Sequence, residues 1–102
     1  MSMLRLSLLS CLTLTLVPGA LMADPAVPAA ASSCVSCHSA DGNPLVAGVP
    51  ILAGQRQDYL ISALKAYAEG RRKGGPADVM AGFAKPLSDK DIEEITAWFS
   101  AN

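Results

Sequence analysis

Cys34, Cys37 and His38 place two thiols three residues apart and an imidazole directly after the second. The chain has three cysteines and one histidine in all, so "CVSCH" concentrates most of its soft-ligand chemistry. Four chemistries use such a set: structural zinc, a dithiol redox pair, a plain disulfide, and covalent attachment of a haem. Structural zinc wants four N or S donors, and no second pair follows. A thioredoxin-like dithiol sits at a helix start in a βαβ setting, and nothing here alternates like a strand. A disulfide between i and i+3 closes a tiny loop and leaves the neighbouring histidine without a role. The C-x-x-C-H spacing suits a haem best. On one helical turn both sulfurs share a face and reach the vinyl groups along one porphyrin edge. His38, about 100° further round, comes under the ring to meet the iron. Thiol chemistry, a disulfide or a metal without haem are the weaker alternatives.

With the single histidine used, the other side of the iron is open to a methionine, a lysine or nothing. Met1, Met3 and Met22 fall in an N-terminal leader, which makes Met80 the one methionine of the mature chain, 42 residues after His38. Its plain reading is a thioether filling a core gap. Its sharper reading is the sixth ligand, swung over the far face of the ring from a loop. His/Met ligation favours reduced iron and closes both axial positions, which points to electron transfer and away from an enzyme.

The leader is "MSMLRLSLLSCLTLTLVPGALMA", residues 1–23. Arg5, a Leu-rich run from Leu6 to Val17, a Pro18-Gly19 break and small residues up to Ala23 have the layout of a cleaved secretory signal peptide. The run is too short and wrongly flanked for a membrane span. A retained anchor, or a lipoprotein through Cys11, fits less well. Export implies the periplasm, an oxidising compartment, and a mature chain without a membrane span. Removing the leader leaves seven basic and nine acidic residues, a formal charge of −2. That balance excludes a generic nucleic-acid binder. The remaining 79 residues make a small domain with a thin core, which usually needs a staple or a large cofactor.

The elements that must position the motif read as all-α. Residues 24–33 are a Pro/Ala-rich linker running into a short helical turn. Residues 39–54 hold three glycines and two prolines and read as loop. From Gln55 to Glu69, Tyr59, Leu60, Ala63, Leu64 and Tyr67 make a helical stripe, and Gly70 stands where a C-terminal cap belongs. Residues 71–86 again read as loop. Ser88 with Asp91 then forms a capping box, followed by the amphipathic stripe Ile92, Ile95, Thr96 and Phe99 to the C-terminus. The expectation is about three helices and two long loops, with Tyr59 and Tyr67 both core-facing. Asp89, Asp91, Glu93 and Glu94 complement the last helix's dipole and are no catalytic pair. Arg71, Arg72 and Lys73 are either a solvated turn or a charge cluster that pairs with haem propionates or an acidic partner.

Taken together, "CVSCHSADGN", "VPILAGQRQDYLISALKAYAEGRR" and "VMAGFAKPLSDKDIEEITAWFS" resemble the small bacterial class I cytochromes c. Members of that family occur as single-haem periplasmic carriers and as each half of some di-haem cytochromes. The resemblance covers nearly all of a domain at 34–102. It implies the class I cytochrome c fold, with long loops wrapped around one haem c attached through Cys34 and Cys37. It further implies iron held by His38 and Met80, the Pro50 carbonyl accepting the proton of the ligand histidine, and Leu52 packed on the haem face. Partners would be redox proteins: a dehydrogenase, oxidase or reductase. The alternative role is the haem subunit of a dehydrogenase complex such as flavocytochrome c sulfide dehydrogenase, beside a flavoprotein. One departure stands out. The family's full N-terminal helix has only residues 24–33 to form from, with Pro25 and Pro28 among them. That shortening either weakens the contact with the last helix or leaves its exposed side to a partner, with Trp98 either core or surface.

Overall fold

The computed structural model describes residues 25–102, together with Gly19; the expected leader, with its cleavage site, lies outside the described residues. Among these residues the order is a 3-10 turn at Ala29–Ala31, α1 at Val35–His38, α2 at Gln57–Ala68, α3 at Pro76–Ala84 and α4 at Asp89–Ser100, with no strand. No described helix is long and apolar enough to cross a membrane.

The two long helices form for the reasons their stripes suggest. α2 ends at Glu69 with Gly70 at φ 73°. The Arg71 N–H donates to Ala66 O at 2.9 Å and the Gly70 N–H to Tyr67 O at 3.2 Å, the paired bonds of a Schellman motif. At the start of α4 the Asp91 N–H donates to Ser88 Oγ at 3.0 Å, and the Ser88 N–H returns to Asp91 Oδ2 at 2.9 Å. Those bonds favour the charged carboxylate, so the Asp91 carboxyl sits below its ordinary range.

The expected loop at 71–86 is instead interrupted by α3. Gly75 caps it, Pro76 takes the first helical position, and Asp78 Oδ1 accepts the Gly74 N–H at 2.8 Å. A proline at that position loses nothing, because its missing N–H would have been unpaired and its φ is already helical. Met80 is therefore on the second turn of a helix, and its expected place in a mid-loop segment is corrected.

α4 supplies two of the four residues of the buried cluster. Ala31, Leu60, Ile95 and Phe99 form the buried cluster, with Val27, Ala30, Leu52, Leu64, Leu87 and Trp98 packed around it. α4 meets both α2 and the 3-10 turn, and α2 also meets α3. Polar ties fix the same helix. Gln57 Nε2 donates to Glu93 Oε1 at 3.0 Å, and the Gly54 N–H to Phe99 O at 3.0 Å. Trp98 is half-buried, packs on the cluster and donates from Nε1 to Ala40 O at 2.7 Å, so it belongs to the core and not the surface. Tyr59 departs from expectation: it is 52% exposed, whereas Tyr67 on the same helix is buried. It lies on the first turn of α2 and lines the cavity between α2 and α4 instead of joining the buried cluster.

The turn after α1 approaches this core closely at Gly42. Its φ is +77°, and a Cβ there would lie 2.6 Å from Ala53 N and 3.0 Å from the Phe99 ring. Gly42→Ala therefore forces both a left-handed alanine and a backbone clash. The expected loss is about 2 kcal/mol or more of unfolding free energy, measured by denaturant titration of the cofactor-loaded protein.

Candidate functional site

α1 is a single turn, held by the His38 N–H donating to Cys34 O at 2.9 Å. Cys34 is half-buried, Cys37 is exposed, and neither is in a disulfide. Burial pushes the Cys34 thiol above its ordinary pKa. The chain leaves the turn through Ser39, the one described non-glycine residue at positive φ (66°). Three residues on, Gly42 O accepts both the Leu52 and Ala53 N–H groups, at 2.9 and 3.2 Å. That clasp closes the segment 43–51 and returns Pro50 to α1.

There Pro50 O lies 2.9 Å from His38 Nδ1. A carbonyl oxygen only accepts, so Nδ1 carries the proton, and in the neutral imidazole the lone pair is then on Nε2. The imidazole is 5% exposed, so its orientation is fixed by packing as well as by this bond. Such a bond strengthens the free nitrogen as a metal donor.

Two cavities meet at this histidine. One holds about 670 Å³ of open space, mouth included, between α2 and α4, with Leu52, Leu60, Leu64, Ile95 and Phe99 among its walls. The other holds about 880 Å³ on the α3 side, walled by Val49, Val79 and Phe83 beside Cys37. Cys34, His38, Pro50 and Met80 line both. The structure thus brings five of the six site residues singled out from the sequence to the first cavity, and places Cys37 on the second. Val79 and Phe83, which share the face of Met80, were hidden in the sequence by the loop reading of 71–86. As a helix their spacing of i, i+1 and i+4 puts them on one face. Tyr67 and Arg72 also line the first cavity.

The donor set can be tested against what it would hold. Among the described residues no three His, Cys, Asp or Glu side chains gather closely enough to bind a bare metal ion. That removes the zinc alternative. The residues fit a flat apolar group that brings its own iron: two free thiols on one turn, an imidazole with Nε2 available, a thioether, and aliphatic walls on both sides.

Comparison with known proteins agrees with this geometry. The cytochrome c family pattern matches residues 27–101. The chain is 48% identical over 69 residues to "Cytochrome c-554(548)" of Halomonas halodenitrificans, covering 68% of this chain and 83% of that protein. It is 42% identical over 77 residues to the "Thiosulfate dehydrogenase electron acceptor" of Thiomonas intermedia, covering 74% of this chain but 34% of that protein. It is 37% identical over 101 residues to "Cytochrome c4" of Pseudomonas aeruginosa, covering 99% of this chain and 49% of that protein. The chain spans half or less of the last two.

The two thiols differ in their surroundings, and this can be read chemically. In the folded chain before any cofactor is attached, limiting alkylation at neutral pH should label Cys37 at least about fivefold over Cys34, because the half-buried thiol is both shielded and less ionised. Peptide mass mapping reads the ratio. Equal labelling would contradict the placement of Cys34.

Proposed function

The chain belongs to the cytochrome c family, and from that premise we propose that it is a periplasmic single-haem electron carrier whose iron is held between His38 and Met80. Family membership makes it an electron-transfer protein with one covalently attached haem c and not an enzyme. When bound, the haem supplies a one-electron iron couple.

The observation that carries the reading is the His38–Pro50 bond at 2.9 Å. It fixes the tautomer, leaves Nε2 for the metal, and does so in a crevice that Met80 also lines. In this reading Cys34 and Cys37 form the thioethers. Leu52, with Leu60 and Leu64, keeps water from one face; Val49, Val79 and Phe83 do so on the side of Cys37. Excluding water in this way disfavours the more highly charged oxidised state and so supports a high potential.

The charge distribution speaks to the partner. From Pro25 to Gln55 the one charged residue is Asp41; every other described charge lies at Arg56 or beyond. The segment 43–51, whose Gly48 and Val49 line the cavity of Cys37, exposes Leu45 almost fully at 98% and Val46 at 62%. Electrons would therefore pass at the thioether edge to an uncharged, apolar patch of another redox protein, in brief encounters over a small area. The Thiomonas relative is named as an electron acceptor of a dehydrogenase. That name supports a carrier filled by a dehydrogenase, and a tightly held haem subunit is the second reading.

Two outcomes follow. Reduced protein under carbon monoxide at neutral pH should keep its visible spectrum, whereas Met80→Ala, with a vacated axial position, should shift fully; a full shift in the unmutated protein would end the His/Met assignment. Electron self-exchange between oxidised and reduced copies should vary less than about twofold across a wide range of salt, because no charge sits at the edge. Leu45→Lys should slow it by about tenfold, read by NMR line broadening.

A further inference from the structure

Six large apolar side chains stand out of the surface among the described residues, and the two cavities account for three of them. Tyr59 lines the first cavity, and Val79 and Phe83 line the second. Leu45, Val46 and Ile51 line neither, although they are 98%, 62% and 57% exposed. A group seated in the cavities therefore leaves these three side chains in water. They share the segment 43–51, and that segment is held in place. The clasp at Gly42 O closes it, the Val49 N–H donates to Val46 O at 3.4 Å, and Gln55 Nε2 donates to Ile51 O. Pro44 and Pro50 restrict it further. A surface ordered in advance loses little freedom on docking.

Charge says what can cover this surface. Asp41 is the one charged residue from Pro25 to Gln55, and its Oδ1 is turned to the Asn43 N–H at 2.9 Å. A foreign partner is steered and selected by opposite charge, and the segment offers none. A second copy makes the reverse demand. Across a two-fold axis the same patch meets itself, so any charge at the contact would face its own sign. An uncharged apolar patch meets that demand. The formal charge of −2 expected for the mature chain adds little repulsion between copies at a distance. The carrier reading calls for an uncharged, apolar patch on the other protein, and this chain itself carries one.

We propose that the segment 43–51 is a self-association surface on which two copies pair about a two-fold axis, Leu45 against Leu45. The inference rests on the docking patch of the carrier reading and names its occupant as a second copy. Gly48 and Val49 of the segment line the cavity of Cys37, so pairing brings the two thioether edges to the same contact. Three apolar side chains from each copy make a contact smaller than a permanent dimer needs, so the pair is half-formed at a concentration on the order of 0.1 mM.

Sedimentation equilibrium of the haem-loaded protein tests this. The mean mass should rise from one chain towards two between about 10 µM and 1 mM, equally so from about 0.05 to 0.5 M salt. Leu45→Lys and Leu45→Glu each set like charges against one another across the axis, and each should stay single up to about 1 mM. An equimolar mixture of the two variants should pair again, and more tightly at low salt. A side chain so exposed carries neither folding nor haem attachment, so both variants should accumulate with their haem. Single-chain mass throughout in the unmutated protein, undiminished pairing in either variant alone, or a mixture that stays single would overturn the proposal. Failure of the carrier reading would look different, since the unmutated chain would then carry no covalent haem, whatever its mass.

Discussion

The hydrogen bond between His38 and the Pro50 carbonyl is the contact on which the arrangement turns. It joins the single helical turn of the motif to the segment 43–51, two pieces of chain with almost no regular structure of their own. Without it the loop would have one fewer tie to the core, and packing alone would orient the imidazole. The bond is made possible by geometry upstream and downstream. Ser39 at φ 66° turns the chain out of α1, and Gly42 O clasps Leu52 and Ala53. Gly42 in turn sits so close to Ala53 and Phe99 that no side chain fits there. The metal donor is therefore oriented, through three short steps, by the most buried aromatic residue of α4.

The second constraint is the scarcity of apolar mass. The fully buried cluster amounts to Ala31, Leu60, Ile95 and Phe99. Many other apolar side chains face the two cavities instead of one another. In a domain this small, burying apolar area on a covalently held macrocycle does what a larger core does elsewhere. The helices therefore share their faces: the 3-10 turn, α2 and α4 build the core through Ala31, Leu60, Ile95 and Phe99, while α2, α3 and α4 each give residues to the cavity walls. The 3-10 turn at Ala29–Ala31 also packs against α4. Trp98 is held there by the Ala40 carbonyl.

Legibility in the sequence followed the reach of the physics involved. α2 and α4 could be read because their stripes, the capping box at Ser88 and the cap at Gly70 are local signals with fixed spacing. The motif could be read because attachment needs its residues on one turn. α3 was missed because Gly74, Gly75 and Pro76 look like a break, although a proline at a first helical position is also a start signal. That error concealed the shared face of Val79, Met80 and Phe83. Tyr59 was misplaced for a different reason: periodicity assigns a residue to a face of a helix, but not whether that face meets another side chain or a cavity, and Tyr59 lines the cavity. The stacking of Arg72 on Tyr67 had no sequence signal that separates it from Arg71, since the difference depends on a ring one turn back and on Glu69 engaging only one of the two.

Charge placement ties these features to the role of the chain. The half of the described chain that carries the attachment turn and its flanking loop is nearly free of charge, and the half built on α2, α3 and α4 carries almost all of it. An electron carrier must meet partners at the edge of its cofactor without binding them long, and an apolar edge of small area gives that through weak, easily reversed desolvation. Arg72, exposed at the end of α2 and stacked on Tyr67, belongs to the charged half, so the charges of the chain are kept off the segment 43–51 and a change at Leu45 acts on the encounter alone.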